Sequence, residues 1–311
     1  MKKLFSPESN DNTLLVTEQC NNRCLMCCQP PKARDDFDFF KDQNLRIIAE
    51  SPCNIECIGI TGGEPTLLGD RLFIIFDAIR KKYPNSLIHI LTNGRLLTPE
   101  FVLGVKKYDL ENIVFAVPLH SDFSGDHDRI TRVKGSYNET MKGLYCLANE
   151  NARVEIRIII NSLNFQRLPQ IASFIYYNLP FVEDIVFIGM EAVGDAVTNK
   201  NEIWVDPVDF HQELREAVFF LNGWGIDVGI SNIPLCLLPT DLHKFSWHSI
   251  SDWKVSYLSF CHDCDLRFSC GGVFATAQWQ SPNLHPVKFE KGVSYWGSGS
   301  TDGLKLLQEL L

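Results

Sequence analysis

Three cysteines, Cys20, Cys24 and Cys27, are spaced C-x3-C-x2-C directly after the apolar run Leu14-Leu15-Val16. Three thiolates on one tight loop can ligate three irons of a four-iron cluster, which ordinarily takes four. The fourth iron then stays open to a ligand from outside the chain. The alternatives for the triplet are a zinc site or three buried thiols. A second set lies near the far end, Cys261 and Cys264 followed by Cys270-Gly271-Gly272, with Cys236 upstream of it after the strand-like stretch Val228 to Ile233. Four thiolates close a cluster completely and make it a redox centre rather than a catalytic one. A four-cysteine zinc site is the alternative, and Cys236 is the expected fourth ligand. Cys53, Cys57 and Cys146 read as small core hydrophobes, and Cys28 as a residue that ligates nothing.

The elements that must position these cysteines alternate along the chain. Short apolar runs at Leu14 to Val16, Cys57 to Ile60, Leu87 to Leu91, Ile113 to Pro118, Val154 to Ile160 and Ile185 to Ile188 read as six strands, separated by stretches of helical period. Thr98-Pro99 reads as an N-cap with proline at the first helical position, and Ser136 with Glu139 as a capping box. Asp206-Pro207 opens an amphipathic helix through Phe210, Leu214, Val218 and Leu221. Strands alternating with helices imply a parallel sheet buried on both faces. Six units fit before residue 205, fewer than a closed eightfold barrel needs. The fold class is therefore α/β, a partial (β/α)6 barrel over residues 1–205, with a cysteine-rich extension over 206–311.

In such sheets ligands bind at the carboxyl ends of the strands. The cysteine loop follows strand 1, Gly62-Gly63-Glu64-Pro65 follows strand 2, and Thr92-Asn93-Gly94 follows strand 3, so all three should meet on one rim. Two adjacent glycines allow close backbone approach and unusual dihedrals. On strand 5, Glu155 and Arg157 share one face while Val154, Ile156, Ile158 and Ile160 share the other. The outer face must be apolar under its helices, so the charged pair should point into the barrel, as a ligand contact or as a structural ion pair. His120-Ser121-Asp122 and Asp126-His127-Asp128-Arg129 after strand 4 are rim candidates, or else a solvated loop. Met190-Glu191 and Gly194 follow strand 6.

Bulk properties narrow the class. The chain has 311 residues, is 45% hydrophobic and 22% charged, and carries a net charge of −9 with no basic run, which argues against nucleic-acid binding. Met1-Lys2-Lys3 leads into polar residues, not a secretory signal. No stretch approaches the roughly 18 apolar residues of a membrane span. Eleven cysteines are too many and too odd for a disulfide framework without a secretory signal. A reducing cytoplasm is the expected location.

The cysteine triplet followed by Gly62-Gly63-Glu64-Pro65 resembles the radical S-adenosylmethionine (SAM) superfamily, over roughly residues 12–195. The resemblance implies that SAM chelates the open iron through its amino and carboxylate groups. One electron would then cleave it to methionine and a 5′-deoxyadenosyl radical. It further implies that Glu64 accepts hydrogen bonds from the SAM ammonium. Gly62, Gly63, Pro65, Thr92, Asn93, His120, Arg157 and Met190 would border the cofactor, with Arg157 toward its carboxylate or ribose and Met190 toward the adenine. Longer strings, Thr17-Glu18-Gln19-Cys20-Asn21, Cys27 through Pro30-Pro31-Lys32, and Ser249-Ile250-Ser251-Asp252-Trp253-Lys254 before the second cysteine set, are similar to the C-type radical SAM maturase of the His-Xaa-Ser peptide system. Cys28 stands where that family would have a serine.

That likeness implies a radical SAM enzyme acting on a ribosomally made precursor peptide, with SAM, a catalytic [4Fe-4S] cluster at Cys20, Cys24 and Cys27, and an auxiliary [4Fe-4S] cluster at Cys236, Cys261, Cys264 and Cys270. The expected partners are the precursor peptide, a second radical SAM maturase, a small partner protein, and a reductase such as flavodoxin or ferredoxin. With the cysteine loop beginning at residue 20, no room is expected for an N-terminal leader-binding domain, so the tail, the rim loops or a partner would recognise the peptide. A radical SAM enzyme of a small metabolite and a non-catalytic cluster- or zinc-bearing subunit are the alternatives.

Overall fold

The computed structural model describes residues 4–9 and 12–289. Met1-Lys2-Lys3 and the last stretch of the expected extension, 290–311, lie outside the described residues. Eight parallel strands form one sheet in sequence order: β1 Thr13–Leu15, β2 Cys57–Thr61, β3 Leu87–Leu91, β4 Ile113–Pro118, β5 Arg153–Ile159, β6 Asp184–Ile188, β7 Asp227–Ser231 and β8 Ser246–Trp247. Strands β1 and β8 are the free edges, so the barrel is open. Helices α1 Phe37–Glu50, α2 Phe73–Lys82, α3 Pro99–Val105, α4 Ser124–Thr131, α5 Ser136–Asn149, α6 Leu168–Asn178, α7 Asp195–Thr198, α8 Lys200–Ile203 and α9 His211–Gly223 follow the strands in turn. A two-stranded antiparallel pair in the tail, β9 Val255–Ser256 with β10 Val273–Phe274, completes the described chain.

The partial barrel is thus wider than the expected six strands. The sheet continues past residue 205, since β7 pairs along β6 from Asp184↔Asp227 to Ile188↔Ser231, and β8 adds Ser231↔Trp247. Val228 to Ile233 has strand character in the sequence, but only pairing shows that it joins the main sheet. Two-residue β8 carries no periodic signal at all.

Burial follows the period of two. Ile58 and Ile60, Val154, Ile156 and Ile158, and Ile185 and Phe187 are all fully buried and face the helices. Their strand neighbours face the lumen. There Glu155 Oε2 lies 3.1 Å from His89 Nε2, reaching past the small residue Ala116 on the strand between, and Arg157 Nε lies 3.0 Å from Glu155 Oε1. The inward charged pair expected on β5 is therefore present, and its partner is a histidine on β3.

Asp184 sits beside Glu155 in register at the same end of the lumen. Burial, then repulsion from Glu155, Asp227 and Glu183, pushes its carboxyl up to about 6, with Arg153 opposing. A folded-state value above the unfolded one means that stability is greatest with Asp184 protonated and is lost as pH rises from about 4 through 6. Asp184→Asn is expected to flatten stability against pH across that window and to stabilise at pH 7 by roughly 2 kcal/mol, after allowance for partial exposure. Urea denaturation of both proteins at several pH values checks this, and parallel curves would contradict it.

One helix start departs from the sequence reading. Ser136 is the first residue of α5, not its cap. The carboxylate of Asp128, on α4, accepts from the N–H groups of Gly135 and Tyr137 and from the Ser136 hydroxyl, so the cap comes from the preceding helix. Glu139 is freed from the capping box and pairs instead with Arg95, 2.7 Å away. Thr98 caps α3 as expected, accepting from Phe101 N at 3.3 Å.

Candidate functional site

The loop carrying Cys20, Cys24 and Cys27 leaves the carboxyl end of β1 and is held by four other segments. From β2, Gly63 N donates to Thr17 O at 2.9 Å and Glu64 N to Gln19 O at 2.7 Å. From β3, Asn93 Nδ2 donates to Asn21 Oδ1 at 2.6 Å, while the Arg95 guanidinium reaches Asn21 O and, at 2.7 Å, Asn22 Oδ1. At the end of α4, Thr131 O and Ile130 O accept from Arg23 N and Leu25 N. Beyond β6, Asp195 N donates to Cys27 O at 2.8 Å and Asn199 Nδ2 to Leu25 O at 2.9 Å. The three strand-end motifs expected on one rim do meet there. Arg95, Asn199 and Asp36, whose carboxylate takes Thr17 Oγ1 and Glu18 N, are site-building residues with no sequence signal beyond their type.

The glycines of Gly62-Gly63-Glu64-Pro65 act through space rather than dihedral freedom, since neither has positive φ. A Cβ on Gly63 would lie 2.1 Å from Gln19 O, and one on Gly62 2.5 Å from Thr17 O. Both contacts are with the backbone that enters the cysteine loop. Gly63→Ala is expected to displace that loop, so that the purified protein loses the iron bound at the first cysteine set. Iron analysis checks this; full iron content would refute the packing argument. Gly194 is required on both counts: its φ is +63°, and a Cβ there would meet Cys27 O at 2.5 Å.

Glu64 is fully buried. Its Oε1 accepts from Thr66 N at 2.9 Å, Thr66 Oγ1 at 2.6 Å and Thr92 Oγ1 at 2.6 Å, and its Oε2 accepts from Asn93 N at 2.6 Å. Burial raises this carboxyl above the usual range, and the donors oppose it. Thr92 and Asn93 are therefore the residues that tie Glu64 to the rim of β3. Pro65 opens the turn Pro65–Leu72 that Glu64 caps through Thr66.

The three thiols of the first set lie within electrostatic reach of one another. Burial pushes the Cys27 thiol up to about 12. It raises Cys24 further, reinforced by Cys27 and Cys20, and raises Cys20 as well. Asn22 N donates to Cys20 Sγ at 3.3 Å. Crowded, buried thiols ionise only against compensating positive charge, which a metal cluster supplies. Cys28, exposed at the loop's end, has Glu191 and Lys254 as its charged neighbours.

The second set also comes together. Burial pushes Cys236 up to about 11, and Cys270, Cys264 and Cys261 add to the rise. Backbone N–H groups point at the sulfurs, from Gly272 to Cys270 at 3.4 Å and from Val287 to Cys264 at 3.3 Å. Cys236 follows β7, so this set borders the same strand-end rim. Among the described residues no three His, Cys, Asp or Glu side chains close around one point as a single metal ion requires. A four-iron cluster gives each thiolate its own iron and needs no such closure.

The remaining sequence candidates are placed as follows. His120 is no solvated loop residue: it is buried, packed 5.2 Å ring to ring from buried His127, and burial holds the two rings near about 3 and about 4, so both are neutral. Arg157 is engaged with Glu155 in the lumen. Met190 packs against the small apolar cluster of Leu25, Met26, Ile130, Ala196 and Ile203. Cys53 is exposed rather than in the core, and Cys57 faces the lumen near Glu155 because β2 begins there with its odd positions inward. Cys146 packs against the core as expected.

No helix among the described residues is long and apolar enough to cross a membrane. An uncharacterised protein of Methanocaldococcus jannaschii is 29% identical over 180 residues, which are 56% of this chain and 60% of that protein. A GTP 3′,8-cyclase of a Synechococcus species is 30% identical over 132 residues, 42% of this chain and 36% of the cyclase. This chain thus spans less than two thirds of either relative. Among solved structures, Streptococcus suis SuiB bound to precursor peptide SuiA superposes with a TM-score of 0.55 at 15% identity, covering 70% of this chain and 48% of SuiB. SuiB bound to S-adenosylmethionine gives 0.56 at 13%, covering 70% of this chain and 49% of SuiB. These likenesses fix the fold. The sequence profile of the radical SAM superfamily matches residues 14–175, which hold the cysteine triplet, Gly62 to Pro65 and the first five strands, and the chain belongs to that superfamily.

Proposed function

We propose that this protein modifies a ribosomally made peptide of the His-Xaa-Ser type. Cys20, Cys24 and Cys27 would hold the [4Fe-4S] cluster implied by the superfamily, with Glu64 orienting SAM. The donor set fits: three thiols that press on one another and a backbone N–H directed at Cys20. When bound, cluster and SAM supply a 5′-deoxyadenosyl radical that removes hydrogen from an unactivated carbon. The chain's own residues do the rest. Glu64 holds the rim of β3 against that of β2, Arg95 and Asn199 fix the loop, and Met190 covers the apolar cluster that contains Leu25 and Met26.

The observation that carries the peptide reading is the second thiol set, Cys236, Cys261, Cys264 and Cys270, gathered beside the same rim. As an auxiliary [4Fe-4S] cluster it would take up the electron left when a product radical closes. As zinc it would serve structure alone. SuiB, a fold relative captured with its precursor peptide, supports the same reading. A second radical SAM maturase, a small partner protein and a flavodoxin- or ferredoxin-type reductase are the proposed partners, in a cytoplasmic setting. The GTP 3′,8-cyclase relative favours a nucleotide as the second reading.

The deciding experiment incubates the anaerobically reconstituted, reduced protein with SAM and either a His-Xaa-Ser peptide or GTP. Mass spectrometry follows 5′-deoxyadenosine and the mass of each candidate. Peptide mass change with adenosyl product supports the proposal. Change in GTP alone overturns it.

A further inference from the structure

We infer that Glu191 anchors the tail to the barrel and so assembles the second thiol set, as a positioning residue for that centre and not a ligand of it. It rests on the reading of Cys236, Cys261, Cys264 and Cys270 as one metal site.

That site is drawn from two parts of the chain. Cys236 lies in the connection between β7 and β8, both strands of the main sheet. Cys261, Cys264 and Cys270 belong to the tail, which follows β8. The set is therefore complete only while the tail is seated on the barrel. Across the join, the backbone N–H of Leu235, the residue before Cys236, faces the Cys270 sulfur. Metal bound there stabilises the seated tail, and a seated tail retains the metal, by linkage.

The tail is fastened through the β9–β10 ribbon. Glu191, on the loop after β6, takes two tail residues at once. Its Oε1 accepts from Thr276 Oγ1 at 2.6 Å and from Lys254 Nζ at 3.2 Å, and its Oε2 accepts from Lys254 Nζ at 3.0 Å. The side chains are only 10% and 23% exposed, so either charge is poorly hydrated once its partner is removed. Lys254 immediately precedes β9, and Ala275, immediately after β10, donates its N–H to Lys254 O at 2.6 Å. This closes the ribbon at the Glu191 end. At the other end Tyr257 Oη donates to Cys270 O at 2.8 Å, and a Cβ on Gly272 would meet Ser256 O at 2.7 Å. The paired strands thus run from Glu191 to Cys270.

The anchor point is itself pinned to the first set. On the same loop, Asp195 N donates to Cys27 O at 2.8 Å, and Ala192 O accepts from Gln278 N of the tail at 2.9 Å. Loss of the Glu191 tie should loosen the second set, while the first keeps its own bonds to β2, β3 and α4.

The test is made in Cys24→Ala, whose remaining metal is that of the second set, and follows release of iron and zinc to excess EDTA under anaerobic conditions. Glu191→Gln and Lys254→Met are each expected to speed release roughly tenfold. The exchanged pair, Glu191→Lys with Lys254→Glu, or the conservative Lys254→Arg should return release toward the parent rate, which a general loss of packing would not allow. Lys106→Met breaks a distant ion pair, 2.9 Å from Glu150, and should leave release unchanged. Circular dichroism confirms that each variant folds. Unchanged release in both Glu191→Gln and Lys254→Met, equally fast release in Lys106→Met, or failure of both restoring variants overturns the inference. A Cys24→Ala parent that holds no metal overturns the reading of the second set and the inference with it. A parent that holds metal, with variants that hold it equally well, overturns the inference alone.

Discussion

Cys24→Ala is expected to remove about half of the iron, from about eight to about four atoms per chain, and to reduce 5′-deoxyadenosine release to the level of a no-enzyme control. If the second thiol set holds zinc, the fall is from about four irons to none. The reason is geometric. Cys24 is the central ligand of the triplet, the one pressed by both of the others, and its thiol is raised by burial and then by Cys27 and Cys20. Two thiolates cannot retain a cubane that already lacks a fourth protein ligand. Substituting alanine removes only the sulfur and little apolar contact, so the second set should keep its metal. Cys53→Ala is the matched control, because Cys53 is exposed and outside both sets. Iron, sulfide and zinc analysis read the outcome. Retention of full iron by Cys24→Ala would end the assignment of this loop as a cluster site.

Glu64→Gln is expected to destabilise the fold by about 1–3 kcal/mol and to weaken SAM binding as well. Two backbone N–H groups fix the argument, Thr66 N on Oε1 and Asn93 N on Oε2. A carboxylate accepts at both oxygens. A glutamine side chain in either orientation turns its NH2 toward one of these donors, in a fully buried place where no water can intervene. The two threonine hydroxyls can rotate to accept, but the backbone groups cannot. Since the same contacts join the rim of β2 to that of β3, the cysteine loop should loosen with them. Urea denaturation reads the stability and isothermal titration the SAM affinity. An unchanged denaturation midpoint would show that the carboxylate is not the tie between the two rims.

Both effects lie within reach of the sequence, though not in equal measure. The residue types and spacing of Cys20, Cys24 and Cys27, the apolar runs, and the period of two on β5 are local properties. A chain that alternates Val154, Glu155, Ile156, Arg157 and Ile158 has one way to bury itself under helices, and that alone sends the charges inward. The order of motifs after successive parallel strands likewise places them on one rim before any coordinates exist.

Other features depend on which distant segments meet, and no local period encodes that. The eighth strand was hidden because it is two residues long and is defined only by the strand it pairs with, and the strand-like Val228 to Ile233 shows its place in the main sheet only through its pairing with β6. Asp128 rather than Ser136 caps α5 because a neighbouring helix delivers its carboxylate to the spot. The two glycines looked like room for a ligand, yet their missing side chains make room for the cysteine loop's own backbone. Arg95 and Asn199 could not be told from any surface arginine or asparagine until the carbonyls of Asn21 and Leu25 arrived beside them. Composition and spacing alone determined the chemistry this protein can hold, because a thiol or a carboxylate carries its reactivity with it. Which groups hold the loop in place, and which seat the tail on the barrel, was decided by tertiary contact, because hydrogen bonds and packing belong to pairs of segments rather than to either one.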